Sequence, residues 1–558
     1  MTIRKTASTT LPSGMLSVLT RPGAAVALLL CLSSDIGAAQ GTPAGSPLAR
    51  VEAAWLELRN INDELRMTLN MGVAVSPRGN SIVTLQSRLA RARKAVADFA
   101  AAVRQESLDS GDVHAFGILG EQFAALKDPS VPTPGAAALL DCHPGWDVPA
   151  AIKDTLAALT EHVFACYGRA AQRLVVDGDT LDRLSIFGLM GRTGDAAKRQ
   201  RLFMGLMPVW QSVNGDDAPT SLYRRMVAHR VRSWQGATPM IARARELGVG
   251  PDTLEQGLVR ILETWRATLP DTLFEPWDFY YFNGEASRLL SARVPKDSLL
   301  VINRRFYRAL GADPVSLEVR YDIEPRAGKY PIAFSDIARR NPMRAWVSAS
   351  YRIGGIDNLS ELLHETGHAI HVSAINTRPA YADWPDSDTF TEAIADLAAL
   401  EMYEPSWQRR FLGVSAPLAA SLRAKYSGIV MDIAWSLFEI RVHRFPERSP
   451  NEIWTEITRD YLKIRPHPEW SWWAMRGQLV ESPGYMLNYA FGAILIADLR
   501  ARLVATRGSF TTGDPGWYQF VGPRLYRFGL AVPAREVVTR FLGRAVTTDA
   551  LLADMARK

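Results

Sequence analysis

From Leu48 to about Gln122 apolar residues recur every three to four positions, through VEAAWLELRNINDELRMTLNM and SIVTLQSRLARARKAVADFAAAVRQ. That spacing predicts long amphipathic helices, broken at SPRGNS. Residues 127–148, KDPSVPTPGAAALLDCHPGWDV, hold too much proline and glycine for a helix and predict an exposed loop. Helical spacing resumes from Ala150 to Tyr167 and continues through DTLEQGLVRILETWRATL. After Pro295 the period shortens: VSLEVRYDI (315–323) and RAWVSASYRI (344–353) alternate as strands do, with the turn-bearing EPRAGKYPIAF between them. From Asn358 onward the helical period returns, most clearly in GIVMDIAWSLFEIRVHRF and GAILIADLRARLVA. The pattern predicts a mainly α protein with a small β-sheet set against helices.

The first 39 residues follow neither pattern. RPGAAVALLLCL puts Arg21 ahead of an apolar run too short for a membrane span, which needs about 20 residues, and DIGAAQG offers small residues at Gly37 and Ala39 for cleavage. Residues 1–39 are therefore expected to be a signal peptide, with Met15 an alternative start. The mature protein would be exported, periplasmic or extracellular, with no membrane anchor after signal removal. Cys31 follows Leu30, not a small residue, which argues against lipid attachment. Residues 40–260 are expected to form an N-terminal helical region and 261–558 the catalytic region, both belonging to one structural unit.

Composition narrows the class. With 47% hydrophobic and 22% charged residues the chain is globular rather than disordered. The formal charge of +6 includes a leader carrying Arg4, Lys5, Arg21 and Asp35, so the mature chain is near +4. No block of basic residues appears, and a nucleic-acid partner is not expected. Beyond the leader only Cys142 and Cys166 remain. In an oxidising compartment they are candidates for a disulfide, worth roughly 3 kcal/mol in the chain-entropy account, with two separate buried thiols as the alternative.

The chemistry concentrates at LLHETGHAIH (362–371), which holds three of the nine histidines. His364, Glu365 and His368 form H-E-x-x-H, a match expected by composition only about 0.01 times in such a chain. One helical turn separates the two histidines by about 6 Å, so both imidazoles can converge on one zinc ion. His371 lies about 10.5 Å along the axis from His364 and cannot join them. It is expected to be a packed or supporting residue. A third ligand must come from elsewhere, and DTFTEAIADLAALEM (388–402) offers Glu392, with Asp396 one turn later to hold a ligand histidine by its other ring nitrogen. The alternative for those acids is a water-facing helix surface. Two histidines, a glutamate and an open position describe a catalytic zinc site. Such an ion lowers the pKa of its water toward about 7, and Glu365 can take the proton during attack on a carbonyl and pass it to the leaving amine.

HETGHAIH with Glu392 twenty-eight positions after His364 resembles zinc peptidases of the thimet oligopeptidase and oligoendopeptidase F family, and their relative angiotensin-converting enzyme. FTEAIADLAAL is closest to the converting-enzyme helix; EPWDFYYF (275–282), DIEPRAGKYPIAF (322–334) and NYAFG (488–492) are closer to the oligopeptidases. The resemblance covers roughly residues 270–500. It implies a mainly helical, two-lobed ellipsoid with a deep substrate channel and a small β-sheet near the zinc, whose edge binds extended peptide. The strand around Val347–Tyr351 would be that edge. It further implies that Tyr485 and Tyr489, four apart in SPGYMLNYAFG, donate hydrogen bonds to the tetrahedral oxyanion, whereas their spacing alone reads as core packing. This chain departs from the family in having no histidine a few residues before the tyrosines; the nearest, His467, stands eighteen positions upstream. The function implied is zinc-dependent hydrolysis of short unstructured peptides, by endopeptidase or peptidyl-dipeptidase action. The alternatives are a peptide-binding protein without turnover and a zinc hydrolase of a non-peptide amide.

Overall fold

In the computed structural model the residues described are 46–126, 142, 153–246, 251–326, 328–330 and 333–557. The leader 1–39 and all of the 127–148 segment except Cys142 lie outside them. Among the described residues are twenty-three α-helices and five short strands, so the protein is mainly α. The N-terminal periodicity resolves into helices Ala49–Asn70, Ile82–Ala101 and Ser110–Ala125. Ser81 and Asp109 start the second and third by accepting the Thr84 and Asp112 N–H groups. The next helix begins at Leu156, capped by Thr155, and ends at Gln172. Cys166 on this helix is joined to Cys142 by a disulfide, with the two Cα atoms 5.5 Å apart.

The strands differ from the expected pattern. A hairpin of β1 (Leu174–Val176) and β2 (Asp179–Leu181) occurs in the N-terminal part. The second sheet contains β3 (Arg320–Asp322), β4 (Phe334–Arg339) and β5 (Arg344–Ser348). Only the last third of VSLEVRYDI is strand. Asp313 Oδ1 accepts the Val315 N–H, and Leu317 and Val319 bond back to Asp313 and Pro314, so a turn consumes the backbone groups a strand would need. β4 has no clean alternation, because Asp336 is buried and the register slips between Ile337 and Arg339. Asp336 is tolerated there because Arg66 reaches it at 2.9 Å and Trp384 Nε1 donates to it at 3.4 Å.

The strand order is β3-β5-β4, with β3 parallel and β4 antiparallel to β5. This corrects the expectation for Val347–Tyr351. Val347 lies in the middle strand, paired with Tyr321 on one side and Ser335 on the other, while the Ala349 and Tyr351 N–H groups donate to Asp322 and Ile323. A strand bonded on both sides has no backbone left for a peptide. The edges belong to β3 and β4.

Two large cores organise the rest. One gathers residues from Leu159–Phe279 with Leu422–Ile494; the other gathers Ala286–Ala420 with Leu495–Leu542. The helix Met486–Arg507 runs from one core into the other, Ile494 being its last residue in the first and Leu495 its first in the second. The first helix, Ala49–Asn70, is tied to the sheet by buried charge: Arg340 binds Asp63 at 2.8 Å and Asp383 at 3.4 Å. No helix among the described residues is long and apolar enough to cross a membrane.

Candidate metal centre

The H-E-x-x-H segment sits on the helix Ile356–Ala374, and Glu392 on the helix Asp388–Ala399. Ser387 caps the second helix by accepting the Phe390 N–H at 3.2 Å, which places Glu392 in its second turn. The two helices cross at Gly367, the glycine of HETGH. A Cβ built there would lie 2.0 Å from the Ala395 carbonyl oxygen. Only the missing side chain lets the backbones meet this closely, and that approach brings Glu392 and Asp396 up to the histidines. The sequence signal was present in a small residue between the histidines, but it acquires meaning only once the partner helix is known.

The three expected ligands converge. One donor atom from each of His364, His368 and Glu392 lies within 4.8 Å of the others. Glu392 Oε2 is 3.4 Å from His364 Nε2 and 3.8 Å from His368 Nε2. Asp396 Oδ1 stands 2.8 Å from His364 Nδ1, so this ring donates there and turns its Nε2 lone pair toward Glu392. That Nε2 is buried and makes no hydrogen bond. Burial opposes a charge on His364, yet Asp396 and Glu392 hold its imidazole well above the usual range. Two imidazoles, a carboxylate and an unpaired inward-facing nitrogen fit a divalent ion that takes mixed nitrogen and oxygen ligands.

Glu365 is fully buried beside His364, and its carbonyl accepts the Ser335 hydroxyl of β4 at 2.6 Å. His371 stays out of the donor set. Its ring packs among Trp384, Phe390 and Tyr526, neither nitrogen has a hydrogen-bond partner, and burial pushes its pKa down to about 3. Trp384, which the sequence reading missed, walls the site, with its ring 5.7 Å from that of His368 and 6.0 Å from that of His371.

Tyr485 and Tyr489 stand at the start of the helix Met486–Arg507, half-buried, with ring centroids 5.6 Å apart. Thr389, one turn before Glu392, donates to Asn488 Oδ1 at 3.0 Å and so ties the two helix starts together. Burial, then the neighbouring Tyr485, push the Tyr489 phenol far above its ordinary range, so it stays a hydrogen-bond donor at any physiological pH. His467 does not replace the missing histidine. Its nitrogens face Glu275 at 2.9 Å and Glu469 at 2.8 Å, and its ring stacks on Trp470.

Among the solved structures that this chain matches are two that cover most of it. A chain described as oligoendopeptidase F aligns with TM-score 0.54 at 15% identity, covering 91% of this chain and 95% of that one. PZ peptidase A, solved with an inhibitor, aligns with TM-score 0.53 at 13% identity, covering 89% and 95%. This chain has the fold of these two peptidases. No protein-family model matches it, and comparison with curated proteins gives no match. At such identity the likeness to the oligopeptidase fold is one of architecture, and the chemistry has to be argued from the centre itself.

Proposed function

We propose that the protein is a zinc metallopeptidase that hydrolyses short, unstructured peptides after export from the cytoplasm. The observation that carries the reading is the convergence of His364, His368 and Glu392 beside a buried Glu365, within a fold otherwise found in peptidases. Zinc, held by those three residues, would supply Lewis-acid polarisation of the scissile carbonyl and a more acidic water. The chain's own residues do the rest. Asp396 holds His364 in the tautomer that offers Nε2. Glu365 accepts the proton of the attacking water and returns it to the leaving nitrogen. Tyr485 and Tyr489 donate to the oxygen on which negative charge develops. The start of β4 suits an extended substrate: it is an edge strand, Phe334 and Ser335 are partly exposed, and Ser335 touches the Glu365 backbone.

The test is mass spectrometry of products from a pool of eight- to twelve-residue peptides, with parallel samples containing a chelator or the Glu365→Gln protein. Chelator-sensitive internal cuts identify an endopeptidase, and successive loss of C-terminal residue pairs a peptidyl-dipeptidase. Glu365→Gln should keep its zinc and lose nearly all turnover. Absence of cleavage by the zinc-loaded wild type would overturn the reading in favour of a peptide-binding protein or a hydrolase of another amide.

A further inference from the structure

Two buried ionisable side chains that take no part in the candidate metal centre grip the segment leading into the tyrosine pair. Glu439, on the helix Leu418–Arg444, is fully buried, and its Oε1 accepts the Gly484 N–H at 2.9 Å. Gly484 directly precedes Tyr485, so the carboxyl group lies close to the positive end of the helix that carries Tyr489. Arg230, on the helix Leu222–Trp234, is 1% exposed and donates to the Leu479 and Val480 carbonyls at 3.0 and 2.6 Å. Arg230 and Glu439 also feel each other's charge. One helix therefore holds the carbonyls before the SPGY turn and another holds the Gly484 amide within it. Gly484 makes the turn possible: its φ is +83°, and a Cβ there would come within 3.1 Å of Pro239 Cβ.

Burying two ionisable side chains is expensive, and apolar side chains of similar volume would pack as well. Apolar side chains, however, cannot bind peptide N–H and C=O groups and so cannot set the position of a turn. We infer that Glu439 and Arg230 are positioning residues for Tyr485 and Tyr489, holding the Leu479–Gly484 segment from which both tyrosines follow. This rests on the peptidase reading above. It accounts for a cost in the fold that packing does not require, since a misplacement of about 1 Å at a reacting centre can reduce turnover about a hundredfold.

The test uses the full-length zinc-loaded protein with Glu439→Met, Glu439→Gln, Tyr489→Phe and the Glu439→Met/Tyr489→Phe double variant. Glu439→Met should lower kcat at least about tenfold with KM within about twofold and zinc content unchanged. Glu439→Gln, which can still accept the Gly484 amide, should recover most of that loss. The double variant should lose much less than the product of the single losses, because a displaced tyrosine has little left to lose on truncation. Hydrogen exchange over residues 482–489 should quicken in Glu439→Met while the Ile356–Ala374 helix is unchanged. Should Glu439→Met not accumulate as folded protein, Arg230→Lys carries the same readouts, because one ammonium cannot reproduce the two-carbonyl fork. Unchanged kcat, multiplicative losses or unchanged exchange would each overturn the inference. If the wild type cleaves no peptide, the peptidase reading falls while the exchange measurement still reads the clamp. If Tyr489→Phe turns over normally, the tyrosine role falls and the positioning role falls with it.

Discussion

Replacing Gly367 by alanine tests the contact on which the candidate metal centre depends. The added Cβ would sit 2.0 Å from the Ala395 carbonyl oxygen, 2.7 Å from its carbon and 2.9 Å from its Cα, against 3.4 Å for an ordinary contact. All three atoms are backbone in a helix and cannot rotate away. The two helices must therefore open by about 1.4 Å at the crossing, or tilt by an equivalent amount. Glu392 lies three residues before Ala395 and Asp396 one after it, so the shift reaches both. Metal–ligand distances tolerate only about 0.2 Å. The expected outcome is a loss of zinc affinity of at least tenfold, about 1.4 kcal/mol, together with about 1–3 kcal/mol of overpacking in the metal-free protein. Titration of metal-free protein with zinc against a chromophoric chelator measures the first, and thermal unfolding the second. Gly428→Ala is the control: that helical glycine has open space around it, and the change should stabilise by about 0.5–1 kcal/mol. A Gly367→Ala protein with wild-type zinc affinity and wild-type stability would refute the close-approach account.

Other expectations follow from individual contacts. Asp396→Asn should weaken zinc binding about 10- to 100-fold without unfolding the protein, because it disturbs the partner of His364 Nδ1; the same chelator competition measures it. His371→Phe should leave zinc affinity within about twofold, since both ring nitrogens of His371 are unpartnered; a loss of metal would show that the residue supports the site after all. Glu439 gives a pH signature. Burial raises its folded pKa to about 7, above the ordinary value of about 4.3 that the unfolded chain would have. Between those values the folded state holds a proton that the unfolded state has released, so this group's contribution to stability falls as pH rises from about 4.3 to about 7 and is flat above. The difference in unfolding free energy between wild type and Glu439→Gln, followed by denaturant titration, should decline over that window; a difference independent of pH would refute the shift.

The readings from periodicity held where a single element decides the pattern. The helix Ala49–Asn70 is recognised from its recurring apolar positions, and Leu418–Arg444 and Met486–Arg507, which are buried on most sides, from long apolar runs too long for strands. The sheet was less legible. β3 and β5 were expected at greater length, and β4 was not recognised, because Asp336 is buried by partners more than forty residues away, at Arg66 and Trp384. The edge assignment failed for a related reason. Alternation says that a strand has two faces, but strand order depends on which other strands bond to its two sides.

By itself the sequence determined the mainly helical class and the one-turn spacing of His364 and His368. It also supplied the candidate third ligand, and the exclusion of His371 by its rise along the helix. These are properties of one helix or one short segment, carried by covalent spacing and backbone geometry. Tertiary structure decided that Glu392 and Asp396 meet the histidines, through a crossing that only Gly367 permits. It decided that β3 and β4, not β5, form the edges of the sheet, and that Arg230 and Glu439 hold the turn before Tyr485. Each of those depends on atoms from segments far apart in the chain, and their distance is set by packing rather than by any local preference.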